Sequence, residues 1–476
     1  MHNPIHQIRK DISNESYLDQ LVTAVDEYTR IYAKYVVSLK FDDLPFDVVE
    51  KTKIHFLDYL GNALAAYEMP WSQMVIKIVK QMKGEPQSTV IGEGKYPMMN
   101  AALANGTMAH GVDADDSGAR PSWAHPGSCI NPTAQAVAEA EGVTGKELIT
   151  GILAGYEISC RVDSSMYPGL RNRGFHATGV VGTIGATAAA GKILGLDEDQ
   201  MVNAFGLAGT QAAGLEEWLT AGDMSKRLHA GKAAMNGVLA ALLAREGYTG
   251  PSSVFEGKHG LLTTHAESYN PEMLTEGLGS EYKILGCKFK PYACCHELCP
   301  PIRMAQQLQE DHGIKPQDVE KIRIGLNHIT AENQLKEAET PLHAQNHPAV
   351  AIGIALVEDK VFLKEFFESY RDPMVIQLGK RTEVYTDPEI DMAFPTKIGT
   401  RLEIITKTNH YTMFEEDKPP IPHSFIKEKF MALATNLTSD EKAGQIINKV
   451  QELDRLGNLS HLTSLLKNLF FSRYDQ

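Results

Sequence analysis

Cysteine is scarce in this chain, and its six cysteines (Cys129, Cys160, Cys287, Cys294, Cys295, Cys299) do not make a disulfide framework in 476 residues. Long apolar runs are missing too: no stretch approaches the ~18 residues a transmembrane helix needs. The opening MHNPIHQIRKDISNESYLDQ has neither the apolar core nor the small-residue cleavage pattern of a signal peptide. Positive charge is in deficit, with 46 Lys and Arg against 60 Asp and Glu, a formal net charge of −14. Neither a phosphate backbone nor an anionic bilayer attracts such a chain, so nucleic acid and membrane are not expected as partners. Together these absences favour a reducing, cytoplasmic setting. Internal repeats and low-complexity tracts are also lacking.

What is present is an ordinary globular composition, 43% apolar and 22% charged, in a chain long enough for two or three domains. YLDQLVTAVDEYTRIYAKYVVSLKF and VVEKTKIHFLDYLGNALAAY repeat apolar residues at helical spacing. Alanine- and glycine-rich segments follow, among them NAALANGTMAHGV, GVVGTIGATAAAGKILGL and GKAAMNGVLAALLAREGY. Alanine favours helix, and small faces let helices approach closely. Further on, VEKIRIGLNHI and GTRLEIITKTNHYTMFEED alternate apolar and polar residues as strands do, with a helical stretch, HPAVAIGIALVEDKVFLKEFFE, between them. The pattern predicts a mainly α protein: a helical domain over 1–275, a smaller α/β domain over 276–416, and C-terminal helices over 417–476 that return to the first domain.

Chemistry-bearing residues concentrate in four stretches. HGVDADDSGARPSWAHPGS, residues 110–128, follows a helix end, and Gly118 and Pro121 forbid its continuation. Its Asp113, Asp115 and Asp116 could serve chemistry or bond backbone amides in an Asx-type turn. His125 beside aspartates suits acid/base work near neutral pH. The spacing matches no standard ligand pattern, so no metal is assigned. In RNRGFHATGVVGTIG, residues 171–185, the glycines follow GxxGxxG rather than a dinucleotide fingerprint. His176 precedes a helix start near Arg171, where an anion or a capping role would fit equally.

The third stretch, DMSKRLHAGKAA, crowds Lys226, Arg227, His229 and Lys232 onto a helix start. A solvated face and a carboxylate site are the two readings. The fourth, KFKPYACCHELCPP, holds Lys290, Cys294, Cys295, His296 and Cys299. Zinc usually takes two separated ligand pairs, and no second pair exists, so buried free thiols are the simpler account. Lys290 is a candidate anion ligand.

These stretches, in this order, resemble the MmgE/PrpD family of 2-methylcitrate dehydratases, cis-aconitate decarboxylases and iminodisuccinate epimerases. The likeness spans nearly the whole chain, from HFLDYLGNALAA through RGFHATG, KRLHAGKAA and FKPYACC to LDRLGNLSHL. It implies a large helical domain built from both chain ends with a smaller α/β lid, no metal or organic cofactor, and a homodimer. Residue by residue it implies catalytic roles for Asp113, His125, His176 and Lys226 and substrate contacts for Ser117 and Lys290, with Cys295 and His296 at the position of a further substrate contact; Arg171, beside the His176 helix start, is a substrate-contact candidate from the residues themselves. Lys226 and Lys290 would face substrate carboxylates.

Three departures from the family pattern stand out. The loop before His125 is about two residues longer. Cys295, next to His296, stands where the animal-type decarboxylase has histidine, and Val350 where a lid tyrosine is expected. The function implied is a cofactor-independent lyase acting on a small polycarboxylate, by dehydration or decarboxylation. An iminodisuccinate-type epimerase and a catalytically silent carboxylate binder are the alternatives.

Overall fold

The computed structural model describes residues 27–332, 338–417, 419–435, 437–467 and 469. Helices of eight or more residues are numbered in chain order: α1 (Tyr28–Ser38), α2 (Phe46–Ala66), α3 (Pro70–Met82), α4 (Met98–Ala109), α5 (Pro126–Glu141), α6 (Gly145–Met166), α7 (Ala177–Ile193), α8 (Glu198–Gly209) and α9 (Ser225–Arg245). After them come α10 (Cys299–His312), α11 (Pro348–Val357), α12 (Pro373–Lys380), α13 (His423–Ala434) and α14 (Asp440–Gln451). The helix expected from residue 17 onward is observed as α1, its first part lying outside the described residues. Among the described residues no helix is long and apolar enough to cross a membrane.

Local signals set the helix ends. Thr144 and Glu147 form a capping box at the start of α6, and Asp197 and Gln200 form another at α8. α5 stops at Gly142, whose φ of 69° is the left-handed conformation a helix end uses. The small residues then do what their spacing suggests. A Cβ at Gly106 of α4 would lie 2.8 Å from the Gly231 Cα of α9, and one at Gly155 of α6 would lie 2.8 Å from the Gly185 carbonyl of α7. α7 and α9 are buried on most faces, so their apolar residues encircle them rather than form a stripe.

α13 packs back against α2. Phe430 lies over Gly61, and Lys429 Nζ sits 2.7 Å from Asp58 Oδ1 and donates to the Ala114 carbonyl at 2.5 Å. The C-terminal helix thereby props the 110–125 loop from below.

The smaller unit holds a four-stranded mixed sheet. β3 (Val319–Leu326) pairs parallel with β4 (Thr382–Thr386) and antiparallel with β5 (Thr400–Thr406), which forms a hairpin with β6 (His410–Glu415). A separate short pair, β1 (Ser88–Thr89) with β2 (Lys95–Tyr96), lies within the helical unit. The alternating run at 399–417 is therefore two strands, because the chain turns at 407–409, where the Thr406 N–H bonds the Asn409 carbonyl. β4 carried no expectation. The helical run at 347–368 is also divided, α11 ending at Val357 before a short helix over Leu363–Glu368.

Candidate active site

α4 ends at Ala109, and the 110–125 loop crosses to the start of α5 with its aspartates almost fully buried. Asp113 is held with φ at 58°, a conformation rare for a residue with a Cβ. The reason lies in its partners: Lys226 Nζ donates to Oδ2 at 2.6 Å, and Lys290 Nζ donates to Oδ1 at 2.7 Å and to the Asp113 carbonyl at 3.0 Å. Burial alone would raise this carboxyl, but the two ammonium groups override it and hold it well below the usual range. The smaller unit clamps the same turn, since Gln345 Nε2 donates to the Val112 and Ala293 carbonyls. Ser117 and Lys288 exchange backbone hydrogen bonds in an isolated bridge.

Asp115 and Asp116 do more than turn the chain. Asp116 accepts from the Gly127 N–H at 2.9 Å and from the Tyr156 hydroxyl at 2.7 Å, and His55 Nδ1 lies 2.7 Å away. Asp115 Oδ2 lies 2.7 Å from His110 Nδ1 and 3.7 Å from His125 Nδ1. Burial opposes its ionisation, yet the two imidazoles outweigh burial and hold it below the usual range. Asp115 is thus the anion between two histidines rather than an Asx-turn residue.

His125 occupies the N-cap position of α5 without a capping bond from its side chain, and its Nδ1 lies 2.6 Å from the Asp116 carbonyl oxygen. A carbonyl can only accept, so Nδ1 carries the proton and Nε2 keeps its lone pair. Burial, reinforced by Lys290, pushes the His125 pKa down to about 3, so the ring is neutral at pH 7. His176 occupies the N-cap position of α7 and is also held well below its ordinary value, by burial and then by His229. The His110 ring lies between the two, with centroids 4.9 Å from His125 and 6.0 Å from His176.

One cavity gathers the expected residues. Asp113, Ser117, His125, Arg171, His176, Lys226, Cys295 and His296 all line it, together with Arg120, Trp123, Tyr167 and Trp218. The first turns of α5, α7 and α9 converge there, and helix N-termini favour anions. Lys226 also lies 4.6 Å over the Trp218 ring. Lys290 differs from the expectation of a substrate-facing lysine. It is fully buried behind Asp113, which absorbs its donors, and it does not line the cavity.

The remaining contacts are looser or already paired. His296 Nδ1 is 3.3 Å from Ser117 Oγ. Arg171 stacks 4.8 Å from Trp123, and its Nε is 3.8 Å from Glu216. The Cys295 thiol donates to Glu297 Oε2 at 3.2 Å, and burial pushes its pKa up, so it is a neutral thiol and no thiolate ligand. Val350 packs partly buried against the core.

Among the described residues, His110, Asp115 and His125 form the one group whose potential ligand atoms lie within 4.8 Å of one another. Their chemistry fits a metal poorly. His110 Nδ1 is spent on Asp115, and His125 Nδ1 on the Asp116 carbonyl. Sequence reasoning had not singled out His110, although it stands only three residues before Asp113.

The two units that meet at this cavity both match one family. The MmgE/PrpD N-terminal domain matches residues 30–274 and the MmgE/PrpD C-terminal domain matches 292–455, so the chain belongs to the MmgE/PrpD family. It is 31% identical to the cis-aconitate decarboxylase-like protein oryM of Aspergillus oryzae, over 91% of this chain and 95% of that one. It is 28% identical to the cis-aconitate decarboxylase of Aspergillus terreus, over 90% and 94% of the two chains. The human cis-aconitate decarboxylase is 26% identical over 92% and 94%.

Proposed function

We propose that this protein is a cofactor-independent lyase acting on a small polycarboxylate, with decarboxylation of cis-aconitate or a close analogue as its leading reaction. The observation that carries this reading is one cavity in which Lys226 and three helix N-termini face the neutral imidazoles of His125 and His176. The full-length likeness to proteins named as cis-aconitate decarboxylases supports the same reaction.

The chemistry follows from charge. Cleaving the bond to a departing CO2 leaves an electron pair on a carbon skeleton that already bears carboxylates. Lys226 and the helix ends offset that charge in a site shielded from water. A proton must then reach carbon, and a positioned imidazole is worth roughly 10²–10⁴ in rate for such a transfer. Dehydration would use the same groups differently, with His125 Nε2 as base and an acid for the departing hydroxide. Ser117, His296, Arg171 and Cys295 contact the substrate in this reading. Asp113 fixes the Lys226 ammonium, and Lys290 acts through Asp113 rather than by touching substrate.

The test is to incubate purified protein with cis-aconitate, citrate and 2-methylcitrate, with and without a chelator, and to follow products by NMR. Release of CO2 from cis-aconitate, insensitive to chelator, is expected. No turnover of any of the three would overturn the lyase assignment, and α-proton exchange of an amino-dicarboxylate with solvent deuterium would then favour an epimerase. A cytoplasmic homodimer completes the proposal. The compartment is supported by six cysteines that are all free. The dimer rests on the family alone and is tested by light scattering.

A further inference from the structure

His176 and His229 meet nitrogen to nitrogen. Their Nδ1 atoms are 3.0 Å apart, with ring centroids 5.1 Å apart. His176 lines the cavity, whereas His229, in the second turn of α9, is half-buried and does not. The His229 ring is braced over the backbone of Gly214, where an added Cβ would come within 3.2 Å of it. Gly214 in turn accepts the His176 backbone N–H at 2.9 Å. Both rings are thus seated on one piece of backbone.

Two imidazole nitrogens form a hydrogen bond only when one of them carries the proton and the other does not. The pair must therefore choose, and its choice fixes whether the Nε2 of His176 carries a proton. His125 has already been assigned as the Nδ1–H tautomer with a bare Nε2, which makes it a base. A lyase also needs an acid.

We propose that His229 is a positioning residue that donates its Nδ1–H to His176 Nδ1, holding His176 as the Nε2–H tautomer that acts as the site's acid. The choice of donor rests on the lyase reading, whereas the nitrogen-to-nitrogen contact does not. Burial lowers the His229 pKa to about 4, less severely than that of His176, so the resting pair is neutral at pH 7 and the proton it takes up for each turnover resides on the outer ring.

The step balances as follows. As the bond to CO2 breaks, its electron pair remains on the substrate carbon skeleton and takes the proton from His176 Nε2. A neutral imidazole giving up that proton alone would become an imidazolate. Transfer of the Nδ1 proton from a His229 imidazolium to His176 Nδ1 avoids this and leaves both rings neutral. The cycle closes when, after product has left, His176 Nε2 takes up a solvent proton and Nδ1–H passes back to His229. One solvent proton is consumed for each CO2 released.

The test combines a spectroscopic and a kinetic readout on the full-length protein. With ¹⁵N-labelled histidine, the wild type is expected to show His176 as Nε2–H. His229→Ala should lose that tautomer signature, and His229→Gln should retain it, because the amide N–H can still donate. An Nδ1–H tautomer of His176 in the wild type would overturn the proposal whether or not any substrate turns over. With cis-aconitate, His229→Ala should lower kcat by about 10²-fold with KM within twofold, and added imidazole should restore rate in proportion to its concentration. His229→Gln, which cannot pass on a proton, should be equally slow. Wild-type kcat in both variants, or a loss that imidazole does not relieve, would count against it. A wild type inert on all polycarboxylates with His176 as Nε2–H would sink the lyase reading alone.

Discussion

Asp113 and Lys226 form a buried ion pair, 2.6 Å from Oδ2 to Nζ, between residues 113 positions apart in sequence. Lys290 completes it from the other side at 2.7 Å, so one carboxylate is shared by two ammonium groups. The carboxylate thus keeps Lys226 at the cavity wall, close to where a substrate charge would sit, and the trio retains a net positive charge.

Removing the shared anion should cost both fold and function, while removing the cavity-side lysine should cost function alone. Asp113→Ala leaves two buried ammonium groups unpaired, and breaking a buried pair from one side typically costs about 3–5 kcal/mol. Lys226→Met leaves Asp113 paired with Lys290, so its unfolding free energy should change far less while turnover collapses. Urea unfolding beside a turnover assay separates the two. Equal stability losses in both variants would show that Lys290 does not hold Asp113 by itself.

His125 makes the stability depend on pH in a defined direction. Its pKa is about 3 in the folded chain and about 6.5 when unfolded, so between these values the unfolded chain binds a proton that the folded one does not. Stability due to this residue is present above pH 6.5 and is lost as the pH falls towards 3. Compared with His125→Gln, which cannot titrate, the wild type should lose unfolding free energy with a slope approaching about 1.4 kcal/mol per pH unit. Urea unfolding of both proteins at pH 7.5, 6.5, 5.5 and 4.5 gives the difference. A difference that stays constant would mean that His125 ionises normally, so that burial does not hold the folded ring neutral below pH 6.5.

The helices were legible because alanine and glycine recur at spacings that only close helix packing explains, and α7 and α9 follow that pattern. The residues at the site were legible by type, since histidine at a helix start and lysine in an acidic chain are both conspicuous. Their pairings were not. The His110–Asp115 contact forms across a helix end, and the His176–His229 contact joins residues 53 positions apart through the packing of α7 on α9. Lys290 faces a carboxylate of its own chain because the segment 288–292 is drawn against the loop by the Ser117–Lys288 bridge. β4 went unread because TEVYT is five residues long, partly exposed and bounded by no turn signal on its N-terminal side.

Metal removal should leave turnover intact. His110, Asp115 and His125 come close enough to suggest a ligand set, but their nearest nitrogens are committed as hydrogen-bond donors. Dialysis against a chelator should therefore leave kcat within twofold, and elemental analysis should find less than one equivalent of zinc, iron or manganese. Loss of turnover that zinc restores would reassign this cluster as a metal centre. Asp115→Asn offers an independent check. It should slow turnover by freeing the His110 and His125 rings to reorient, with no change in metal content.

Gly231 sets how closely α9 approaches α4. A Cβ there would lie 2.2 Å from Thr107 Oγ1 and 2.3 Å from the Leu103 carbonyl, both on α4, and a backbone carbonyl cannot swing aside. Gly231→Ala must therefore push α9 away from α4, and overpacking of this kind costs typically about 1–3 kcal/mol. Lys226 and His229 stand on the opening turns of α9, and α4 leads directly into the loop that carries Asp113. The shift should stretch both the Lys226–Asp113 and the His229–His176 contacts, lowering kcat along with stability. Gly444→Ala is the control, because it lies in α14 with nothing within 4 Å of its added Cβ. That exchange should stabilise the protein by up to about 1 kcal/mol through helix propensity and leave turnover unchanged. If Gly231→Ala kept wild-type kcat while losing stability, the separation of α4 and α9 would not set the geometry of the site.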